Sequence, residues 1–257
     1  MNRKIFAFLL ALSIPYNFYG SVDFDGSDDY LECGSVTTSA GDGALAAWIK
    51  IDPSVSIVTM IVISFGTADA PTLQMGIAQS AADVTKFATY CNAYLPESGG
   101  NKDITADCPA AQCINTNQWY HIACVDSSGG GTLTPYINGV AYTGATGEGV
   151  EIGVSHELVF ANDTFLSFPY YKGEIADGVF VDGVTTTSDI ETMAFSRMRN
   201  YVYPTDSYPK KLVYFPLDDY PDGTSLTSKT FIDRTGNGNS CAARGGGTAR
   251  ADILRYP

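Results

Sequence analysis

The chain is short of histidine, tryptophan and positive charge. It has 2 His, 2 Trp and 15 Lys+Arg against 28 Asp+Glu, a formal net charge of −13 over 257 residues. The shortage of cations excludes the broad basic face that nucleic-acid binding needs, and equally docking on anionic lipid. Two histidines, His121 and His156, leave little material for a Ser–His–Asp triad, and no G-x-S-x-G occurs. No C-x2-C pair is present, so no zinc site is expected; Cys108 and Cys113 lie in a Pro-Ala loop with no histidine nearby. Gly245-Gly246-Gly247 lacks the strand–loop–helix setting of a phosphate cradle. Beyond the N-terminus the greasiest stretch, Ser56 to Phe65, has the length of a strand and not of a membrane span. No repeat of solenoid period is visible.

Apolar residues make up 45% of the chain, with 26 Gly, 12 Pro and 16 Tyr. That is too apolar for disorder and enough for a sizeable core. The basic start Asn2-Arg3-Lys4 and the apolar run Ile5 to Ile14, closed by Pro15, follow the plan of a secretory signal. Residues 1–20 are therefore expected to be a signal peptide or, if retained, an N-terminal strand. Six cysteines, Cys33, Cys91, Cys108, Cys113, Cys124 and Cys241, are an even set that reads as disulfides in an oxidising compartment. Cys33 and Cys241 flank terminal segments and are expected to tie the two ends together. The other pairings stay open.

Short β-branched and aromatic segments separated by Gly, Asn, Asp and Pro predict an all-β chain. Candidate strands are Val22–Phe24, Tyr30–Glu32, Leu45–Ile51, Ile57–Phe65, Leu73–Ile77, Phe87–Tyr90, Trp119–Val125, Leu133–Ile137, Val140–Tyr142, Glu157–Phe160, Gly173–Val181 and Lys211–Phe215. Trp119, His121, Ala123 and Val125 alternate with Tyr120, Ile122 and Cys124, as a central sandwich strand would. Asn138-Gly139 predicts a two-residue hairpin turn. One short helix is expected after a capping box at Ser188-Asp189-Ile190-Glu191, with Ile190, Met193 and Ala194 on its apolar side. Ser196 to Pro209 reads as a connector, and Arg244 to Gly247 as a flexible turn.

Several phrases then fall in a familiar order. They are Val22-Asp23-Phe24-Asp25-Gly26-Ser27-Asp28-Asp29-Tyr30-Leu31, Leu45-Ala46-Ala47-Trp48-Ile49-Lys50, Asn117-Gln118-Trp119-Tyr120-His121-Ile122-Ala123, Pro135-Tyr136-Ile137-Asn138-Gly139-Val140, Tyr171-Lys172-Gly173-Glu174-Ile175-Ala176-Asp177 and Thr186-Thr187-Ser188-Asp189-Ile190-Glu191. The set resembles laminin-G-like jelly rolls of the concanavalin-A-like lectin/glucanase superfamily. The resemblance implies a two-sheet antiparallel jelly-roll sandwich over residues 21–200. Residues 201–257 are then a C-terminal extension, packed on the sandwich, completing it, or used for assembly. Tyr214 to Asp219 and Asp233 to Asn239 resemble phrases that border such domains.

The fold hosts lectins, glycosidases and adhesion modules alike, so function must come from a site. A glycosidase of the laminarinase type would carry E-x-D-x-x-E, which is absent; Glu174 and Asp177 read as ordinary strand-end polar residues. His121 reads as a satisfied core histidine and His156 as a solvated turn residue. No catalytic residue and no organic cofactor are expected. Calcium is the one ion with a case, through Asp23, Asp25, Asp28 and Asp29. Against it, many relatives use an Asp where this chain has Ala176. Tyr90, Tyr94, Tyr170, Tyr171, Tyr201, Tyr203 and Tyr208 sit in or beside predicted loops, either stacking on sugar rings or covering the sandwich. Asn162-Asp163-Thr164 matches the N-glycosylation acceptor.

The expectation is a secreted or cell-surface, non-enzymatic module that binds carbohydrate or an extracellular protein in adhesion, with no membrane span in the mature chain. The alternative is a structural subunit that joins copies of itself into a fibre or coat by exchanging a terminal strand, such as Ile253-Leu254-Arg255-Tyr256. A glycosidase is the third reading.

Overall fold

The alternation of side chains sets the layers. In Gly43–Ile51 (β3), Leu45, Ala47, Ile49 and Ile51 enter the main core. Ala44, Ala46 and Trp48 face the other way. The computed structural model describes residues 19–38, 41–56, 59–66, 72–80, 83–95, 100–105, 108, 113–127, 131–142, 155–163, 168–183, 185–195 and 211–252. Before β3 come Tyr19–Asp25 (β1) and Tyr30–Thr37 (β2). After it come Thr59–Gly66 (β4), Thr72–Gln79 (β5), Phe87–Leu95 (β6), Gly100–Thr105 (β7), Trp119–Ser127 (β8), Thr132–Ile137 (β9), Val140–Ala141 (β10), Ser155–Phe160 (β11) and Lys172–Asp182 (β12). The helix Thr187–Phe195 (α1) follows, then Lys211–Phe215 (β13), Thr230–Ile232 (β14), Ser240–Arg244 (β15) and Thr248–Asp252 (β16).

The strands form two eight-stranded sheets. Sheet A runs β10-β9-β8-β3-β12-β1-β16, with β13 also on β12, and sheet B runs β14-β15-β2-β11-β4-β5-β6-β7. Their inner faces close on one core, where Phe65 of β4 stacks on Phe180 of β12 with ring centroids 4.3 Å apart. This is the jelly-roll sandwich that the ordered phrases imply. Among the described residues no helix is long and apolar enough to cross a membrane.

All six cysteines are paired. Cys33 of β2 joins Cys241 of β15, the pair named from sequence. Cys91 of β6 joins Cys124 of β8 and so links the two sheets through the core. Cys108 joins Cys113 locally. The Asn138-Gly139 turn joins β9 to β10 with φ of 49° and 80°, the positive pair that a two-residue turn needs.

Strand β12 has a seam. Its register with β3 steps from Ala176↔Trp48 to Val179↔Ala46, so one extra residue bulges there. Asp177 takes a φ of 48° at the bulge, and its carboxylate accepts the Tyr214 hydroxyl at 2.5 Å. The ring of Phe160 occupies the space that a Cβ on Gly178 would need. Across this seam β12 changes neighbours: Lys172–Ile175 pair with β1, and Gly178–Asp182 pair with β13.

Three sequence expectations change here. The capping box lies two residues earlier than expected: the Asp189 N–H donates to Thr186 Oγ1 at 3.2 Å, and the Thr186 N–H donates to Asp189 Oδ2 at 2.7 Å. The helix begins at Thr187, which makes Asp189 its third residue. Strands β7, β14, β15 and β16 were not expected: β7, β15 and β16 are short and rich in Gly, Ala, Ser and charge, which carries little β signal, and β14 is β-prone Thr-Phe-Ile but only three residues long. Tyr19 and Gly20, counted with the signal segment, pair in β1 with Asp252 and Ala251. Residues 1–18, the connector and Ile253–Tyr256 lie outside the described residues.

Candidate functional site

The outward face of sheet A divides at the β12 seam. On one side Ala44, Ala46, Ala123, Val125, Val179 and Val181 are roofed by Ile190 and Met193 of α1, with Tyr136 and Tyr214 beside them. On the other side the register brings one row of polar side chains together. Trp119 lies opposite Lys50, Lys50 opposite Glu174, and Glu174 opposite Asp23. Arg250 of β16 completes the row.

Ion pairs link it. Lys50 Nζ lies 3.0 Å from Glu174 Oε1 and 5.9 Å from the centroid of the Trp119 ring. The Ser21 hydroxyl donates to Glu174 Oε2 at 2.7 Å. The Arg250 guanidinium donates twice to Asp23 Oδ2, at 2.7 and 3.1 Å, and this bond holds its pKa above the ordinary value. A cleft of about 430 Å³ opens over Lys50, Glu174, Asp23 and Arg250, with Asp52, Asn117 and Asp222 on its other walls; Trp119 packs outside its lining, against Trp48 and Ala176. The Ser54 hydroxyl, donating to Asp52, holds that carboxyl below its ordinary pKa.

The floor is rigid. A Cβ on Gly173 would run into the β3 backbone, 3.0 Å from the Asp52 nitrogen, and its φ of 137° also favours glycine. Tyr171 lies fully buried below, its hydroxyl donating to the Lys50 carbonyl at 3.2 Å. Burial, then the charge of Glu174, pushes that hydroxyl's pKa well up. Planar carboxylates and an amide can accept or donate to vicinal hydroxyls. The ammonium and guanidinium donate, and Trp119 supplies a ring at the end of the row.

The four aspartates considered for calcium are brought together only in part. Asp25, Asp28 and Asp29 have carboxyl oxygens within 4.8 Å of one another, while Asp23 stands apart on Arg250. Gly26 to Asp28 turn the chain back toward Asp25, and β1 carries Asp23 away into the cleft wall. Asp29 is buried and already committed, accepting the Asp25 N–H at 3.1 Å and the Gly246 N–H. It thereby fixes the glycine turn between β15 and β16. The Asp25 carboxylate accepts the Ser27 N–H at 2.7 Å. The remaining oxygens of Asp25 and the exposed Asp28 suit a hard cation that keeps much of its water.

Both histidines correct their expectation. His121 is fully buried against Trp48, ring centroids 5.6 Å apart, and among the described residues neither ring nitrogen has a hydrogen-bond partner. It is a core histidine, but not a satisfied one, and burial takes its pKa down to about 3. His156 is not solvated: it sits in β11, 6% exposed, edge-on to Phe65. Its predicted turn is a strand, and its register partner Val36 faces the core.

Of the tyrosines, Tyr90 is buried against Phe168 and Tyr171 lies under the cleft, so both are covers and not stacking platforms. Tyr170 leans on Tyr30 at 6.3 Å. The side chain of Tyr94, and all of Tyr201, Tyr203 and Tyr208, lie outside the described residues. Asn162 is half-buried, and its side-chain oxygen accepts the Asp163 N–H at 2.7 Å; Thr164 of its triplet lies outside the described residues. Glu174 and Asp177 part company at the seam: one joins the cleft, the other is buried on Tyr214.

Residues 25–191 match the model of Laminin_G_3, concanavalin A-like lectin/glucanases superfamily. The chain belongs to this family. No curated protein matches the sequence. Among solved structures, the laminin G-like chain is similar to a candidate carbohydrate binding protein from Bacteroides ovatus, at 15% identity and a TM-score of 0.58, covering 93% of this chain and 62% of that one. The laminin G-like chain thus spans less than two thirds of that protein. It is similar as well to a heptameric SAP-like pentraxin from Limulus polyphemus, at 18% identity and a TM-score of 0.56, covering 92% of this chain and 97% of that one. At such identities the likeness is one of fold.

The cleft uses more than the family segment. Lys50, Asp52, Asn117 and Glu174 lie within the matched residues, whereas Asp23, Asp222 and Arg250 lie outside them. Sequence reasoning missed this constellation. Its one local signal was Lys50, a lone charge closing an apolar strand.

Proposed function

We propose that the chain is a secreted or cell-surface binding module that holds carbohydrate in the sheet A cleft without transforming it. The observation that carries this reading is the unroofed row Lys50–Glu174–Asp23–Arg250, whose charged and polar groups match sugar hydroxyls. Three disulfides fit an oxidising, extracellular setting. Binding without hydrolysis is supported by the engagement of the row's carboxylates: Glu174 is ion-paired with Lys50 and Asp23 with Arg250.

Calcium at Asp25, Asp28 and Asp29 would order the β1–β2 turn beside the cleft wall. A glycan array probed with the secreted protein, with and without calcium, tests both parts. Binding that is lost in Glu174→Gln supports the cleft, and dependence on added calcium supports the ion. An array blank under both conditions overturns the carbohydrate reading.

The fibre reading has less behind it. In sheet A, β1 is flanked by β12 and by β16 of its own chain, so the place an exchanged strand would take beside β1 is filled in cis. Monodisperse particles in negative-stain microscopy at high concentration are expected, and filaments would reverse the preference.

A further inference from the structure

We infer that the cleft sorts glycans by charge, accepting uncharged and amine-bearing chains and turning away those that carry carboxylate or sulfate. The inference rests on the carbohydrate reading of the same cleft. Its lining carries four carboxylates, Asp23, Asp52, Glu174 and Asp222, against two cations, Lys50 and Arg250. Both cations are engaged within the row, Lys50 on Glu174 at 3.0 Å and Arg250 on Asp23 at 2.7 Å. Both cations keep N–H donors beyond those bonds, but an anionic group that accepts one sits against the carboxylate already paired there, and it escapes that repulsion only by displacing the carboxylate. A hydroxyl imposes no such exchange: it can donate to a carboxylate or accept from a cation while the pair stays formed.

The surplus charge sits on the outer walls. Asp52 lies on the turn after β3, where the Ser54 hydroxyl keeps it ionised, and Asp222 is exposed on the loop that leads toward β14. Lys172 stands just outside the lining, donates to the Ser54 hydroxyl at 2.7 Å, and offsets part of the Asp52 charge. The lining still keeps an excess of carboxylate, and the chain as a whole carries −13. A protonated amine meets the opposite balance and gains from the same field.

The experiment uses immobilised oligosaccharides in matched sets, each a neutral backbone with its sulfated and sialylated derivatives and, for glucosamine backbones, the N-acetylated and free-amine forms. Neutral and free-amine forms are expected to bind, and each sulfate or sialic acid in the cleft to weaken binding roughly fivefold or more. The gap should shrink as salt is raised to about 0.5 M, because screening removes repulsion. In the double variant Asp52→Asn, Asp222→Asn the ratio of acidic to neutral binding should rise toward one, whatever the change in neutral binding itself. Both sites are surface turns, and the amide oxygen that replaces the Asp52 carboxylate can still accept from Ser54, so the variant should fold. Acidic forms that bind as well as their parents, or a gap unmoved by salt and by the double variant, would overturn the inference and leave the carbohydrate reading standing. An array blank for every class would overturn that reading, and this inference with it.

Discussion

The two halves of sheet A's outer face share β3, β8 and β12 and do opposite things. On the α1 side small and branched residues lie under a helix. On the β1 side β3 and β12 carry Lys50 and Glu174, and β1 adds Asp23, under an open cleft. One bulged residue in β12 separates them. The lesson is that a jelly roll can reserve part of a sheet for packing and part for recognition by changing the neighbour of one strand halfway along.

Removing the roof should cost most. Ile190→Ala empties a fully buried position and is expected to destabilise by about 2–4 kcal/mol in urea titrations. Glycan binding to the folded fraction should be unaffected. The seam comes next. Asp177→Ala leaves the buried Tyr214 hydroxyl without this partner at a residue with positive φ, for a loss of about 2 kcal/mol, while Asp177→Asn keeps both the acceptor and the backbone preference and should lose much less. Equal losses for the two would mean that the hydrogen bond does not hold the halves in register.

His121 sits on β8 opposite Trp48, one step along the strands from the charged row, and gives a pH test. Its folded pKa of about 3 lies below the ordinary 6.5, so the unfolded chain takes up the proton first as pH falls. Its contribution is complete above 6.5 and drains between 6.5 and about 3, by about 1.4 kcal/mol per pH unit. His121→Leu should flatten that part of the stability profile between about pH 4 and 6; a wild-type slope in the variant would exclude His121 as its source. The smallest stability effect belongs to the open half. Lys50→Met breaks a partly exposed ion pair and should change stability by about 1 kcal/mol or less, yet abolish array binding. If it instead unfolds the protein, the open half is as structural as the roofed one.

Much of the scaffold was legible because it rests on local patterns. Alternation marked β3 and β8, Asn138-Gly139 marked the hairpin, and the order of the phrases marked the sandwich. The cleft was not, because its members stand far apart along the chain and meet only through register: Asp23, Lys50, Glu174 and Arg250 become neighbours when β16, β1, β12 and β3 line up. Each alone is an ordinary charged residue. His156 was misread for a related reason: a polar residue among Gly and Ser looks like a turn until its partner Val36 shows which way it faces. The C-terminal strands escaped notice because Ser-Cys-Ala-Ala-Arg and Thr-Ala-Arg-Ala-Asp gain their β structure from the sheets they join and not from their own propensity.

Tyr19 and Asp252, the first residue of β1 and the last of β16, are register partners. Any tether, tag or neighbouring domain joined beyond either strand therefore departs from the same corner of the sandwich. Ser21 and Arg250, themselves register partners, lie two residues in from that corner. A surface holding the protein by one end would orient the cleft as one holding it by the other.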